Sequence, residues 1–332
     1  MSVKFHRLYR HYKELIDNRL AVFIPKRKPH RLYDPIRYIL RAGGKRVRPV
    51  LTLLACEAVG GRAAHALDLA VAVEILHNFT LVHDDIMDNA DTRRGLQTVH
   101  TKWDTNAAIL AGDQMIALAY QSLVNAQHTR ANETVAAFTR AFHEVCEGQG
   151  LDEEFENRRS IRMRDYIRMI DKKTAAMLAA ATTLGGIAGG GTSGEIQALR
   201  AYGHHLGRAF QIQDDLLDLL ADVRTLGKKI GSDVKEGKKT YPWLRGIERS
   251  RGTERAFLQR VIHNRKIIGE ELKKVRDIFE KSGVIAEGQE LVRKNTRRAQ
   301  QALRSLRPHH GIAARARAML TWLASELAER TC

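Results

Sequence analysis

Residues 64–89, AHALDLAVAVEILHNFTLVHDDIMDN, are apolar on most sides until three carboxylates, Asp84, Asp85 and Asp88, arrive near the end. A helix that is apolar all round belongs in the centre of a fold, wrapped by other helices. Carboxylates in that setting are costly unless positive charge or hydrogen-bond donors meet them. The stretch therefore calls for a helical bundle with cations gathered at one end.

The rest of the chain agrees with helices. Its 332 residues hold six prolines, 6% aromatics, abundant Ala, Leu, Glu, Lys and Arg, and no alternating Val/Ile/Thr runs. Glycines punctuate it at Gly43-Gly44, Gly60-Gly61, Gly185 to Gly194 and from Gly227 to Pro242. Between them, amphipathic or apolar segments predict helices over 12–23, 33–42, 47–59, 64–89, 104–127, 131–149, 161–187, 194–220, 253–282, 284–306 and 312–330. No solenoid repeat or Pro/Ser-rich linker divides them, so the expectation is one all-α domain over 1–332, a single large helical bundle around a central cavity.

The formal net charge of +17 points to an anionic partner: nucleic acid, a lipid surface or phosphorylated small molecules. The Lys and Arg of 250–310 fall at helical spacing among Leu, Val and Ile, without interleaved aromatics, which disfavours nucleic acid. Cys56, Cys146 and Cys332 have no pairing or metal spacing, and the charged N-terminus lacks an apolar stretch; a cytoplasmic protein is expected. The uncharged run from Thr174, TAAMLAAATTLGGIAGGG, is small-residue rich and reads as a closely packed helix rather than a span.

At about 100° per residue, Asp88 and Thr80 lie about 40° either side of Asp84 and His77 about 20° from it, while Asp85 falls about 100° away. A second copy of the spacing, FQIQDDLLD at 210–218, sets Gln211, Asp214 and Asp218 on one face. One such acidic pattern is a weak signal; two, each on an apolar helix, form a set of hard oxygen ligands suited to Mg²⁺ carrying a diphosphate. Zinc, non-haem iron and a di-iron centre are disfavoured, because Cys and His are absent at ligand spacing and no Glu-x-x-His stands in these helices.

Four basic motifs complement the acids. They are GGKRVRP with Lys45, Arg46 and Arg48, then Arg93-Arg94-Gly95, then Lys173-Thr174, and finally GKKIGSDVKEGKKT with Lys228, Lys229, Lys238 and Lys239. Singly each reads as a solvated helix terminus; together they supply what two diphosphates need, Arg for bidentate contacts and Lys for point charge.

With these residues in view, the chain resembles the trans-isoprenyl diphosphate synthases, the farnesyl and geranylgeranyl diphosphate synthase family. The motifs that carry the likeness are GGKRVRP (43–49), HNFTLVHDDIMDNADTRRG (77–95), KKTAAML (172–178), AFQIQDDLLD (209–218) and GKKIGSDVKEGKKT (227–240). The resemblance implies an isoprenoid-synthase bundle, a homodimer and three Mg²⁺ ions. It implies Asp84, Asp88 and Asp214 as direct ligands, with Asp85, Asp215 and Asp218 acting through water or behind them. It puts Arg93, Lys173, Lys238 and Lys228 or Lys229 on an allylic diphosphate, and Lys45, Arg48, His77 and Arg94 on isopentenyl diphosphate. Thr174, Gln211 and the Lys173 carbonyl would face an allylic cation. Phe79 and Thr80, five and four residues before Asp84, would limit product length, with one ring favouring the twenty-carbon product over farnesyl or longer chains.

Rival readings weigh less. A terpene cyclase would lack the second DDxxD and GGKRVRP; a non-catalytic subunit would tend to lose an acidic motif; a nucleic-acid binder leaves the carboxylates without a purpose. The basic C-terminal third is expected to allow peripheral contact with anionic membrane.

Overall fold

The computed structural model describes residues 2–126, 130–158, 160–220, 232–265, 267, 269–308 and 310–328. Among these residues the only strands form a two-residue hairpin, so the all-α expectation holds. The chain divides into two compact units, one of Met1–Phe142, Met177–Gly203 and Ala302–Trp322, the other of His143–Ala176, His204–Gln301 and Leu323–Cys332.

The first unit is built on α4 (Leu67–Met87), packed by α1 (Ser2–Phe23), α2 (His30–Arg41), α3 (Val47–Ala58) and α6 (Thr105–Asn125). Its residues from Leu69 to Leu76 are all buried, as its apolar sequence requires. The stretch Ala63–Met87 and α6 are long and apolar enough to cross a membrane, yet 67% and 50% of their apolar windows are buried inside the protein. The Ala-rich α9 (Ala176–Ala188) packs closely here: a Cβ on Gly185 would stand 2.1 Å from the Thr52 carbonyl oxygen.

Local signals set the element ends. Asp104 caps α6 by accepting the Ala107 N–H at 2.7 Å, and the T-x-x-E of Thr192 and Glu195 forms a capping box at the start of α10 (Ser193–Leu220). α4 ends in a Schellman turn: Asn89 is left-handed, its N–H donates to Ile86 O, and Ala90 N–H donates to Asp85 O at 2.9 Å. The helix thus stops directly after DDIMD. Helix α3 begins at Val47, with Pro49 in its first turn, where a missing N–H costs nothing.

The second unit gathers the end of α7 (Ala131–Asn157), α8 (Met163–Ile170), the C-terminal part of α10, and α11 (Ser232–Glu236), α12 (Tyr241–Arg249), α13 (Gly252–Asn264), α14 (Gly269–Lys281) and α15 (Val284–Ala302). Its core holds Tyr166, Ile170, Ile212, Leu216, Trp243 and Phe279.

Two predicted helices are interrupted. The expected 161–187 helix carries a π turn at Asp171–Ala175, between α8 and α9. The expected 253–282 helix breaks at Arg265, which turns left-handed and lays its guanidinium on Gly237 and toward the Glu156 carbonyl oxygen. A tertiary partner, not a local breaker, ends α13.

Candidate active site

In the first unit, burial along α4 follows the helical wheel: His77, Thr80, Asp84 and Asp88 are half-buried, whereas Asn78, Val82 and Asp85 are buried. Asp88 caps the helix, its N–H donating to Asp84 O at 2.8 Å. All three acids sit in the last turn, at the negative end of the helix dipole, which adds to the need for cations. Asp85, 1% exposed, takes Arg93 Nε on Oδ1 at 2.6 Å, while its buried Oδ2 has no hydrogen-bond partner. Burial pushes the Asp85 carboxyl up despite Arg93.

The hairpin positions the arginines. Thr92 pairs with Gln97 and Arg93 with Leu96. The intervening Arg94 and Gly95 both have positive φ (54° and 76°), the two-residue turn that matches strand twist. Arg94 thereby reaches back to donate to the Gly43 carbonyl, with its guanidinium lying over Gly44, where a Cβ would come within 2.9 Å. Arg48 Nη1 donates to His77 Nε2 at 3.1 Å. Burial, then the charges of Arg48, Arg94, Arg93 and Arg46, holds His77 well below the usual imidazole range, so the ring is neutral and accepts at Nε2. Arg48, His77 and Arg94 therefore share one electropositive corner, beside which Lys45 is exposed in the GGKR loop. Arg46 is spent differently, buried against Glu74 (2.6 Å) and Asp17 (2.9 Å).

Phe79 is buried, edge-on to Phe142 at 5.7 Å and to His83 at 4.7 Å between ring centroids. The neighbouring Thr80 hydroxyl is turned back onto the His77 carbonyl. The single ring read from the sequence is thus a pair with Phe142, more than sixty residues on, where no local signal links them.

In the second unit the π turn carries Lys173 and Thr174. It rests on Gly148 of α7, where a Cβ would stand 2.2 Å from Lys173 N, and on Gly207 of α10, where a Cβ would stand 2.5 Å from Ala175 Cα. Lys173 Nζ pairs with the buried Asp152 at 2.6 Å, a partner the sequence reading missed. Thr174 Oγ1 donates to Gln211 Oε1 (2.7 Å), and Gln211 Nε2 donates to Asp215 Oδ1 (2.9 Å). Asp215 Oδ2 also receives Tyr166 OH (2.7 Å) and Tyr241 N–H (3.1 Å).

Burial raises the Asp215 carboxyl to about 7, against these three donors. Asp214 is exposed; Asp218 is buried and lies within electrostatic reach of Asp233, whose carboxyl is raised well above the usual range by burial and by Asp218 and Asp215. Lys238 pairs with Glu236 at 2.5 Å. Lys239 is held by the carbonyl oxygens of Phe155 and Glu156, at 2.6 and 3.0 Å. Lys228 and Lys229 lie outside the described residues.

Among the described residues no three His, Cys, Asp or Glu side chains gather closely enough to hold an ion unaided. That suits a metal delivered with phosphate oxygens and water, which needs only a few protein carboxylates. The donors offered are all hard oxygens, and among the described residues the buried Asp85 Oδ2 has no hydrogen-bond partner. These residues fit a divalent cation of the Mg²⁺ type.

Residues 29–281 match the family model described as Polyprenyl synthetase. The chain is 39% identical over 302 residues to the short chain isoprenyl diphosphate synthase of Methanothermobacter thermautotrophicus, covering 90% of this chain and 92% of that one. The solved geranylgeranyl pyrophosphate synthetase of Pyrococcus horikoshii superposes with a TM-score of 0.91 at 38% identity, over 99% of this chain and all of that one. The polyprenyl synthase of Caulobacter crescentus, solved with calcium and isoprenyl diphosphate, superposes with a TM-score of 0.89 at 29% identity, over 100% of this chain and 98% of that one. By sequence and by fold, the chain belongs to the polyprenyl synthetase family and is a prenyltransferase.

Proposed function

We propose that the chain is a geranylgeranyl diphosphate synthase that adds isopentenyl diphosphate to an allylic diphosphate. The observation that carries this reading is the repeated DDxxD, whose middle acid is buried in both copies while the first acid is the more exposed.

Asp84, Asp88 and Asp214 would ligate divalent metal, three Mg²⁺ ions when the allylic diphosphate is bound, with Asp85, Asp215 and Asp218 behind them. When bound, Mg²⁺ supplies charge neutralisation to a leaving diphosphate. Arg93, Lys173 and Lys238, with Lys228, take the same group's remaining charge. Lys45, Arg48, Arg94 and the neutral His77 hold the diphosphate of isopentenyl diphosphate. The allylic C–O bond breaks with its electron pair leaving on diphosphate, and Thr174, Gln211 and the Lys173 carbonyl oxygen face the cation left behind. The isopentenyl double bond attacks that cation, and the proton lost from the adduct goes to the departing diphosphate. No side chain acts as nucleophile; the rate comes from preorganised charge.

Product length rests on Phe79, braced by Phe142 and His83. A fifteen-carbon product is the second reading, favoured by Phe142 as an additional ring. The whole chain acts as one synthase domain in the cytoplasm and works as a homodimer, for which the exposed Ile109 and Leu110 of α6 offer apolar surface. Its basic surface permits peripheral contact with anionic lipid, testable by vesicle sedimentation at low and high salt.

The deciding experiment incubates the protein with Mg²⁺, isopentenyl diphosphate and each allylic primer, then sizes the products. Twenty-carbon diphosphate is expected from wild type and longer products from Phe79→Ala. A fifteen-carbon end point supports the second reading, and no elongation with any primer refutes both.

A further inference from the structure

The hydrogen-bond chain from Thr174 to Tyr166 has a direction that follows from donor and acceptor chemistry. While Asp215 is ionised, Gln211 Nε2 donates to its carboxylate at 2.9 Å and the amide oxygen faces Thr174; the flipped amide would then set two acceptor oxygens against each other. Thr174 therefore spends its only proton on Gln211 Oε1, at 2.7 Å. Its oxygen lone pairs remain available to an electron-poor centre, and its hydroxyl cannot swing to present a proton instead.

That order starts at Asp215, which can accept from Gln211 in one fixed direction only while its other oxygen is held. Two neutral donors hold it, the Tyr241 backbone N–H at 3.1 Å and Tyr166 OH at 2.7 Å. Of these only Tyr166 is a side chain. It lies on α8, 1% exposed, with its ring in the core of the second unit and its hydroxyl on the carboxylate. The ring's packing and the hydroxyl's bond are separable, because phenylalanine keeps the first and loses the second.

We propose that Tyr166 is a positioning residue for prenyl transfer: through Asp215 and Gln211 it orders the Thr174 hydroxyl so that its lone pairs face the developing allylic cation. The proposal rests on the function given above for Thr174 and Gln211. Tyr166 is 1% exposed and its hydroxyl is spent on Asp215, so its removal should act on the rate of bond breaking and not on binding.

The test compares wild type, Tyr166→Phe, Thr174→Val and the double variant in Mg²⁺-dependent elongation. Tyr166→Phe is expected to lower kcat about tenfold, the weight of one buried hydrogen bond, with KM for both diphosphates unchanged. The double variant is expected to be no slower than Thr174→Val alone, since the two act along one chain. A purely structural tyrosine would instead give multiplying losses, or a raised KM, and either result overturns the proposal, as does an unchanged kcat in Tyr166→Phe. A readout free of turnover keeps this apart from the proposed reaction: in substrate-free protein labelled at glutamine with ¹⁵N, the Gln211 side-chain amide signal should shift in Tyr166→Phe. An unmoved signal refutes the ordering whatever the enzyme makes, whereas failure of wild type to elongate refutes the reaction and leaves the signal to decide the ordering.

Discussion

DDIMD on α4 and DDLLD on α10 share one spacing but satisfy their middle acids differently. Asp85 meets a cation, Arg93, and keeps one oxygen unbonded; Asp215 meets three neutral donors, and its carboxyl rises to about 7. The first is held by charge on a hairpin, the second by hydrogen bonds from core elements. A repeated motif therefore repeats what it offers outward, while the inward half is solved afresh by each unit.

The largest effect should separate outer from middle acids. Asp84→Ala is expected to lower turnover by at least about a hundredfold, as loss of a group that answers transition-state charge does, with little change in the unfolding curve. Wild-type turnover in that variant would break the distinction between outward and inward acids. The inward acids should differ in stability. Arg93→Ala leaves Asp85 buried without its counter-charge and is expected to cost about 3–5 kcal/mol. Tyr166→Phe removes a single neutral donor from Asp215 and should cost about 1 kcal/mol. Urea unfolding of both variants checks the order, and equal losses would mean that charge and neutral donors are interchangeable here.

How much of this could be read from the sequence follows from what helical periodicity encodes. It gave the relative angles on α4, because these need no tertiary knowledge: His77, Thr80, Asp84 and Asp88 share one stripe and are half-buried, while Asp85, off that stripe, is buried. It could not give the π turn at Asp171–Ala175, since one shifted hydrogen bond leaves the apolar pattern intact. Gly148 and Gly207 gain their meaning only from the backbone they admit. Tyr166 and Asp152 were invisible as partners of Asp215 and Lys173 because those pairings lie 49 and 21 residues apart. The Arg265 break and the Phe79–Phe142 pair were hidden for the same reason.

A smaller effect concerns pH. The folded pKa of Asp215, about 7, lies above its unfolded value of about 3.9, so folding favours the protonated form. Its contribution to stability is complete below about pH 4 and is lost as pH rises through about 7. In metal-free protein, wild type should therefore gain stability relative to Asp215→Asn on acidification from pH 7.5 to about 5. Parallel urea midpoints at both pH values would contradict the raised carboxyl.

In the proposed reaction the outward carboxylates and the surrounding cations handle diphosphate charge together with a divalent metal. Elongation of an allylic diphosphate by isopentenyl diphosphate, followed in Mg²⁺ and then in excess chelator, tests it most directly. Product should form with Mg²⁺, cease with chelator and return when Mg²⁺ is restored. Undiminished elongation in chelator would contradict the account.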